Sequence, residues 1–234
     1  MMADVWDTLH ALADHQTARN ALRFFKCGPG EYGEGDRFLG IRVPDIRKLA
    51  KTFAVLPLED VTKLLHSEYH EARLLALILL VNRFKKADTG EQKTIYSLYL
   101  DNTACINNWD LVDTSAEHIV GAWLFKRDRT ILHTLAQSDL LWERRIAVMA
   151  TFHFIKQGMF DETLRIAKLL LEDTHDLIHK AVGWMLREVG KRDRRVEEAF
   201  LKEYYKRMPR TMLRYAIEKF PEEERQFFLK KDLR

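Results

Sequence analysis

The 234-residue sequence predicts an all-α fold made of stacked helix pairs, and three observations predict it. Glycine (10) and proline (5) fall below average usage while leucine, alanine, glutamate, lysine and arginine are plentiful, a composition that favours helix nearly throughout. Apolar residues recur at a spacing near 3.6 from end to end, and no stretch alternates polar and apolar for long enough to make a strand. Four segments also look like copies of one unit: HEARLLALILLVNRF (70–84), WERRIAVMATFHFIK (142–156), IHKAVGWMLREVGK (178–191) and PRTMLRYAIEKF (209–220). Anchored on Arg73, Arg145, Lys180 and Arg214 they lie 72, 35 and 34 residues apart, and 109–124 fills the first, double interval. A period near 35 built from helix pairs is that of a HEAT-like α-solenoid, whose antiparallel pairs curve into a concave groove. The expectation is a single HEAT-like repeat domain over 1–234, with a concave basic groove.

In order, helices are expected at about 3–14, 16–26, 43–53, 58–66, 69–86, 90–100 and 109–124. They continue at about 128–136, 140–157, 160–171, 175–190, 193–207, 209–219 and 221–230. Short breakers separate them: ADTGE at 87–91, SD at 138–139, KQG at 156–158 and EDTHD at 172–176. Pro209 and Pro221 take first-turn positions, where the missing N–H costs nothing. The rhythm breaks at CGPGEYGEGDRFLGIRVPDIRKLAKTF (27–53), which holds four glycines between 28 and 35 and a fifth at Gly40. No GK[ST] follows, and Glu31, Glu34 and Asp36 would repel phosphate, so a mobile loop closing a helix pair is favoured over a nucleotide cradle.

Several function classes are disfavoured. The longest uncharged apolar run, LLALILLV at 74–81, is too short to cross a bilayer. The start MMADVWDTLHALADHQ is acidic where a signal peptide is basic, and Cys27 and Cys105 form no disulfide framework, which fits a reducing cytoplasm. The pairs His66/His70 and His175/His179 have metal-compatible spacing but no third ligand, and are expected to be surface histidines. Ser115 and His118 lack the context of a hydrolase triad.

The charge is unevenly placed. Eleven basic residues against five acidic ones between 179 and 214 give a local +6, although the whole chain carries only +3. Arg37, Arg42, Arg47, Lys48 and Lys51 against Asp36 and Asp45 add a second basic stretch. A basic face of this kind suits a nucleic-acid backbone, and solvated helix surface is the plainer alternative. Within NNWDLVDTSAEHIVGAWLF (107–125), Trp109 and Asp113 are four apart and share a helix face, while Asp110 points about 100° away and is placed to cap the helix start. An indole beside a fixed carboxylate suits a flat cationic substrate. An ion pair from Asp113 to Arg144 or Arg145, with Trp109 in the core, is the competing explanation. Trp184 adjoins Gly183, a helix-weakening residue that implies close approach of another element.

DRFLGIRVPDIRKLAK (36–51), WDLVD (109–113), WERRIA (142–147) and HKAVGWMLREVGK (179–191), in this order and spacing, resemble the AlkD-type alkylpurine DNA glycosylases, a family of HEAT-like repeat proteins. The resemblance covers essentially the whole chain. It implies a monofunctional DNA glycosylase, a base-excision-repair hydrolase that cleaves the N-glycosidic bond of cationic N3- or N7-alkylated purines in duplex DNA. The family's catalytic aspartate falls on Asp113, its active-site tryptophans on Trp109 and Trp184, and its active-site arginine on Arg145, where it would anchor a phosphate. A hydroxylated aromatic of the family is matched by Phe24, which keeps the stacking surface and loses the hydroxyl. DNA contacts are expected from Arg42, Arg47, Lys48, Lys51 and Arg144, and from Lys180, Arg187, Lys191, Arg210 and Arg214. The resemblance implies that no metal or cofactor is needed; a monomer with no membrane partner is expected. The rivals are a non-catalytic relative that binds distorted or branched DNA, and a HEAT-type protein-interaction scaffold.

Overall fold

A computed structural model describes residues 2–230. The described residues form helices throughout, with no strand; an isolated bridge joins Arg37 to Tyr69. The first seven helices are α1 (Met2–Ala11), α2 (His15–Phe24), α3 (Val43–Thr52), α4 (Leu58–Leu65), α5 (His70–Phe84), α6 (Thr89–Asp101) and α7 (Trp109–Ala116). A π-helical turn, Glu117–Gly121, leads into α8 (Ala122–Leu124) and α9 (Thr130–Ala136). Then follow α10 (Leu141–Lys156), α11 (Asp161–Leu169), α12 (Asp176–Gly190), α13 (Arg194–Tyr204), α14 (Arg210–Ala216) and α15 (Glu222–Leu229). Every helix expected from the apolar period is present. The spacing did not show the π turn or the 3-10 turn Thr103–Cys105, because neither changes which residues are apolar.

Local chemistry sets the boundaries. Asp14, Asp88 and Asp193 cap α2, α6 and α13 through their carboxylates, and Pro57, Pro209 and Pro221 precede α4, α14 and α15. The chain packs as two compact units, Met1–Ile119 and Val120–Arg234, so the π turn carries the division. In the first unit α5 is buried nearly all round, packed by α3, α4, α6 and α7. In the second, α10 packs on α9, α11 and α12, and α12 on α13 and α14. Gly183 marks the α12–α14 crossing, as its helix-weakening cost implied: a Cβ there would strike the Met212 carbonyl oxygen and Tyr215.

One device repeats and sets the register. The Ser67 hydroxyl accepts the Tyr69 N–H (3.0 Å) while the Ser67 carbonyl accepts from Arg73 (2.9 Å). Ser138 does the same for Leu140 (3.1 Å) and Arg144 (2.9 Å), and Asp173 for His175 (2.8 Å) and His179 (2.5 Å). A polar residue thus ties the chain into each buried helix, and an arginine or histidine six positions later closes the loop. The equivalent residues are Arg73, Arg144 and His179, which corrects the anchor by one residue at Arg145 and Lys180. Arg145 is consequently not the repeat's clamp.

Candidate functional site

The FLGI segment and the start of α5 are built for each other. The Glu71 carboxylate, buried, accepts the backbone N–H groups of Leu39 (2.9 Å), Gly40 (2.7 Å) and Ile41 (3.1 Å). Gly40 has φ +85 and lies so close to the Asp14 carbonyl that no side chain fits there. Asp36 is buried too, bonded to His70 Nδ1 (2.8 Å) and Arg73 (2.6 Å). The other acids of the glycine-rich loop also act locally: Glu31 accepts the Gly28 N–H and Glu34 the Gly30 N–H. Three of the acids that argued against phosphate are therefore the loop's own fastenings.

His70 was expected at the surface and is buried, 2% exposed. The reason is its partners: Nδ1 meets Asp36 and Nε2 meets Asp110 (2.9 Å), so both ring N–H groups are satisfied. Burial opposes the charged ring, but hydrogen bonds and charge from Asp110 and Asp36 outweigh it and raise its pKa to about 9. Asp110 therefore does not cap α7. Asn108 does so, accepting the Trp109 N–H (2.9 Å), and Asp110 turns inward to the imidazolium.

Trp109 is half-buried in an aromatic cluster. It stacks on Phe25 (centroids 5.5 Å, 25°) and receives Phe24 edge-on at 5.8 Å. Phe24 itself is 64% exposed. Asp113, one turn along from Trp109, is half-buried and opens on a cavity of about 280 Å³ within the first unit. Trp109, Asp110, Thr114 and His118 share that cavity with Asn82, Lys85 and Arg47 from α5, its C-terminal end and α3. The π turn matters here. His118 lies within it and lines the same cavity as Asp113. Ser115 is structural, bonded to Tyr99 and to the Leu111 carbonyl. Lys85 and Asn82 carried no sequence signal, since each lies in ordinary amphipathic context, and His118 stood out only beside Ser115 as a triad pair without context.

In the second unit Arg144 pairs with Asp173 (2.7 Å), so it is a repeat clamp rather than a ready phosphate ligand. Arg145 is 5% exposed and donates to the Leu177 carbonyl (2.6 Å). Trp184 is half-buried, its N–H donated to Glu188 (3.3 Å) and its ring 6.1 Å from Phe152. Glu188 also pairs with Lys191 (2.6 Å) and Arg192 (3.0 Å), which lowers its pKa against burial. Lys180 pairs with Asp176, and Arg187 with Glu218. In the first unit Arg42 and Lys48 flank Asp45. Exposed Arg47, Lys51, Arg210 and Arg214 make no ion pair among the described residues. Six of the ten expected basic contacts are thus already engaged within the fold. Among the described residues no group of His, Cys, Asp and Glu is arranged to hold a metal, and no helix is long and apolar enough to cross a membrane.

The family model for "DNA alkylation repair enzyme" matches residues 5–220. The chain belongs to that family. Solved structures share its helical-repeat fold. A predicted DNA alkylation repair enzyme from Enterococcus faecalis superposes with TM-score 0.68 at 18% identity, over 90% of this chain and 97% of that one. AlkD2 from Streptococcus mutans gives 0.55 at 20%, over 95% and 100%. The protein smu.31 from Streptococcus mutans UA159 gives 0.52 at 19%, over 94% and 98%. No curated protein sequence matches the chain. At these identities the structures speak for the fold, while the family match assigns the chain to DNA alkylation repair enzymes.

Proposed function

We propose that the chain is a monofunctional DNA glycosylase for cationic N3- and N7-alkylated purines, with Asp113 as its catalytic carboxylate. The observation that carries this is the cavity where Asp113, Trp109, Arg47 and Lys85 meet: an anion and an indole for a cationic base, and cations for the flanking phosphates. An alkylated purine already bears positive charge, so it leaves without being protonated. The C1′–N bond breaks, its electron pair passes to the purine, and positive charge develops on the deoxyribose. A carboxylate fixed beside C1′ stabilises that charge, and water adds to C1′ as Asp113 takes its proton. The products are the neutral alkylated base and an abasic site. Trp109 faces the electron-poor sugar or lesion, with Trp184 and Phe24 as further aromatic surfaces. Arg145, buried and donating to the Leu177 carbonyl, is the arginine that the family resemblance assigns to the lesion's phosphate.

Single-turnover release of 7-methylguanine from duplex DNA tests the assignment. The wild type is expected to release the base, and Asp113→Asn to lose roughly 100-fold or more while retaining duplex affinity. Duplex binding without base release by the wild type would establish the non-catalytic DNA-binding alternative instead. Affinity that does not fall steeply with salt would remove DNA as the partner.

A further inference from the structure

Four charged side chains alternate through the buried side of the first unit: Arg73, Asp36, His70 and Asp110, at 2.6, 2.8 and 2.9 Å. The imidazole lies against Phe38 (4.7 Å, 23°) and Phe25 (4.8 Å, 37°), and Phe25 in turn stacks on Trp109. His70 therefore reaches the first turn of α7 twice, by a hydrogen bond to Asp110 and through Phe25 to the neighbouring indole. We propose that His70 is a positioning residue for the Asp113 cavity, fixing Asp110 and Trp109 at its wall. The proposal rests on the glycosylase reading for its kinetic consequence and on geometry alone for its structural one.

A structural histidine in a helix-packing role would need neither two carboxylates nor a place under the cavity wall. Asp110 lines the cavity with one oxygen held by His70 and the other buried without a hydrogen-bond partner. Such a carboxylate keeps its orientation only while its single partner holds it. The charged groups around the ring are Asp36 from the glycine-rich loop, Asp110 from α7 and Arg73 from its own helix, acting through Asp36. The Cys27 thiol also feels Asp36, and burial with that charge pushes it up to about 11, so it is neutral where His70 titrates. Loss of the imidazolium proton near pH 9 would remove one of two N–H donors and release either Asp36 or Asp110.

The test uses the full chain labelled with 5-fluorotryptophan, the Trp109 resonance being assigned with Trp109→Phe. The wild-type resonance is expected to shift with a midpoint near pH 9, with base release declining over the same range. In His70→Gln the resonance should stay constant through that range. Release at neutral pH should fall roughly 10- to 100-fold, with duplex Kd within about twofold of wild type. Asp110→Asn, which keeps an acceptor for His70, should show a smaller loss and serves if His70→Gln does not fold. A Trp109 resonance that ignores His70 titration, or unchanged release in the folded variant, overturns the proposal. If the wild type releases no base, the glycosylase reading fails, and the fluorine titration alone then upholds or overturns the positioning role.

Discussion

Arg73 and Arg144 occupy the same place in two copies of the repeat, each donating to the carbonyl six residues before it, yet they serve different ends. Arg144 closes on Asp173 at the start of the next helix pair, a clamp between neighbours. Arg73 closes on Asp36, whose other oxygen meets His70, so the same cation anchors a chain of charges that ends at the candidate site. The burial differs as well: side chains of Arg73 and Asp36 are 5% and 2% exposed, against 17% and 6% for Arg144 and Asp173. A repeat supplies a cation wherever a loop must be tied to a helix. What its carboxylate touches next decides whether the clamp is only structural.

The largest effect should separate the two clamps directly. Asp36→Ala leaves His70 and Arg73 as buried charges without their shared anion and is expected to cost about 3–5 kcal/mol in urea denaturation. Asp173→Ala leaves a partly solvated Arg144 and should cost about 1–3 kcal/mol; equal losses would erase the distinction. Of similar size in the second unit, Gly183→Ala should cost about 1–3 kcal/mol by forcing α12 away from α14.

The pH response sharpens the contrast. His70 has its folded pKa raised from 6.5 to about 9, so its contribution is complete below pH 6.5 and is lost as pH rises through 9. Glu197 in the second unit is raised from 4.5 to about 8, chiefly by burial. Its carboxyl stays protonated in the fold while the unfolded chain ionises, so stability falls between pH 4.5 and 8. Glu197→Gln should abolish the lower limb and His70→Gln the upper one, read as denaturation midpoints across pH. The smallest effect concerns DNA: Arg47→Ala or Lys51→Ala should each lower the slope of log K against log salt by about 0.9. Arg144→Ala should leave that slope unchanged if its charge belongs to the clamp.

The sequence carried the helices well because their signal is a period, and burial of one face enforces it whatever the neighbours are. It also carried the shared face of Trp109 and Asp113, which four-residue spacing alone guarantees. It misassigned Asp110 as a cap and His70 as a surface residue because both assignments depend on a partner 40 residues away. It placed the repeat anchor on Arg145 rather than Arg144, since two adjacent arginines are equivalent until a carbonyl chooses between them. It also counted the basic residues without knowing which were paired, so Lys180, Arg187 and Lys191 stood as free charges.

Helix content, the 35-residue rhythm and the family's motifs are thus properties of the chain as a string, since each follows from spacing along a single element. Which carboxylate is buried against His70, which arginine clamps, and that Asp113 opens on a cavity were settled only by packing. Those outcomes depend on distances between segments far apart in sequence, and hydrogen bonds and desolvation act through such distances rather than through residue order.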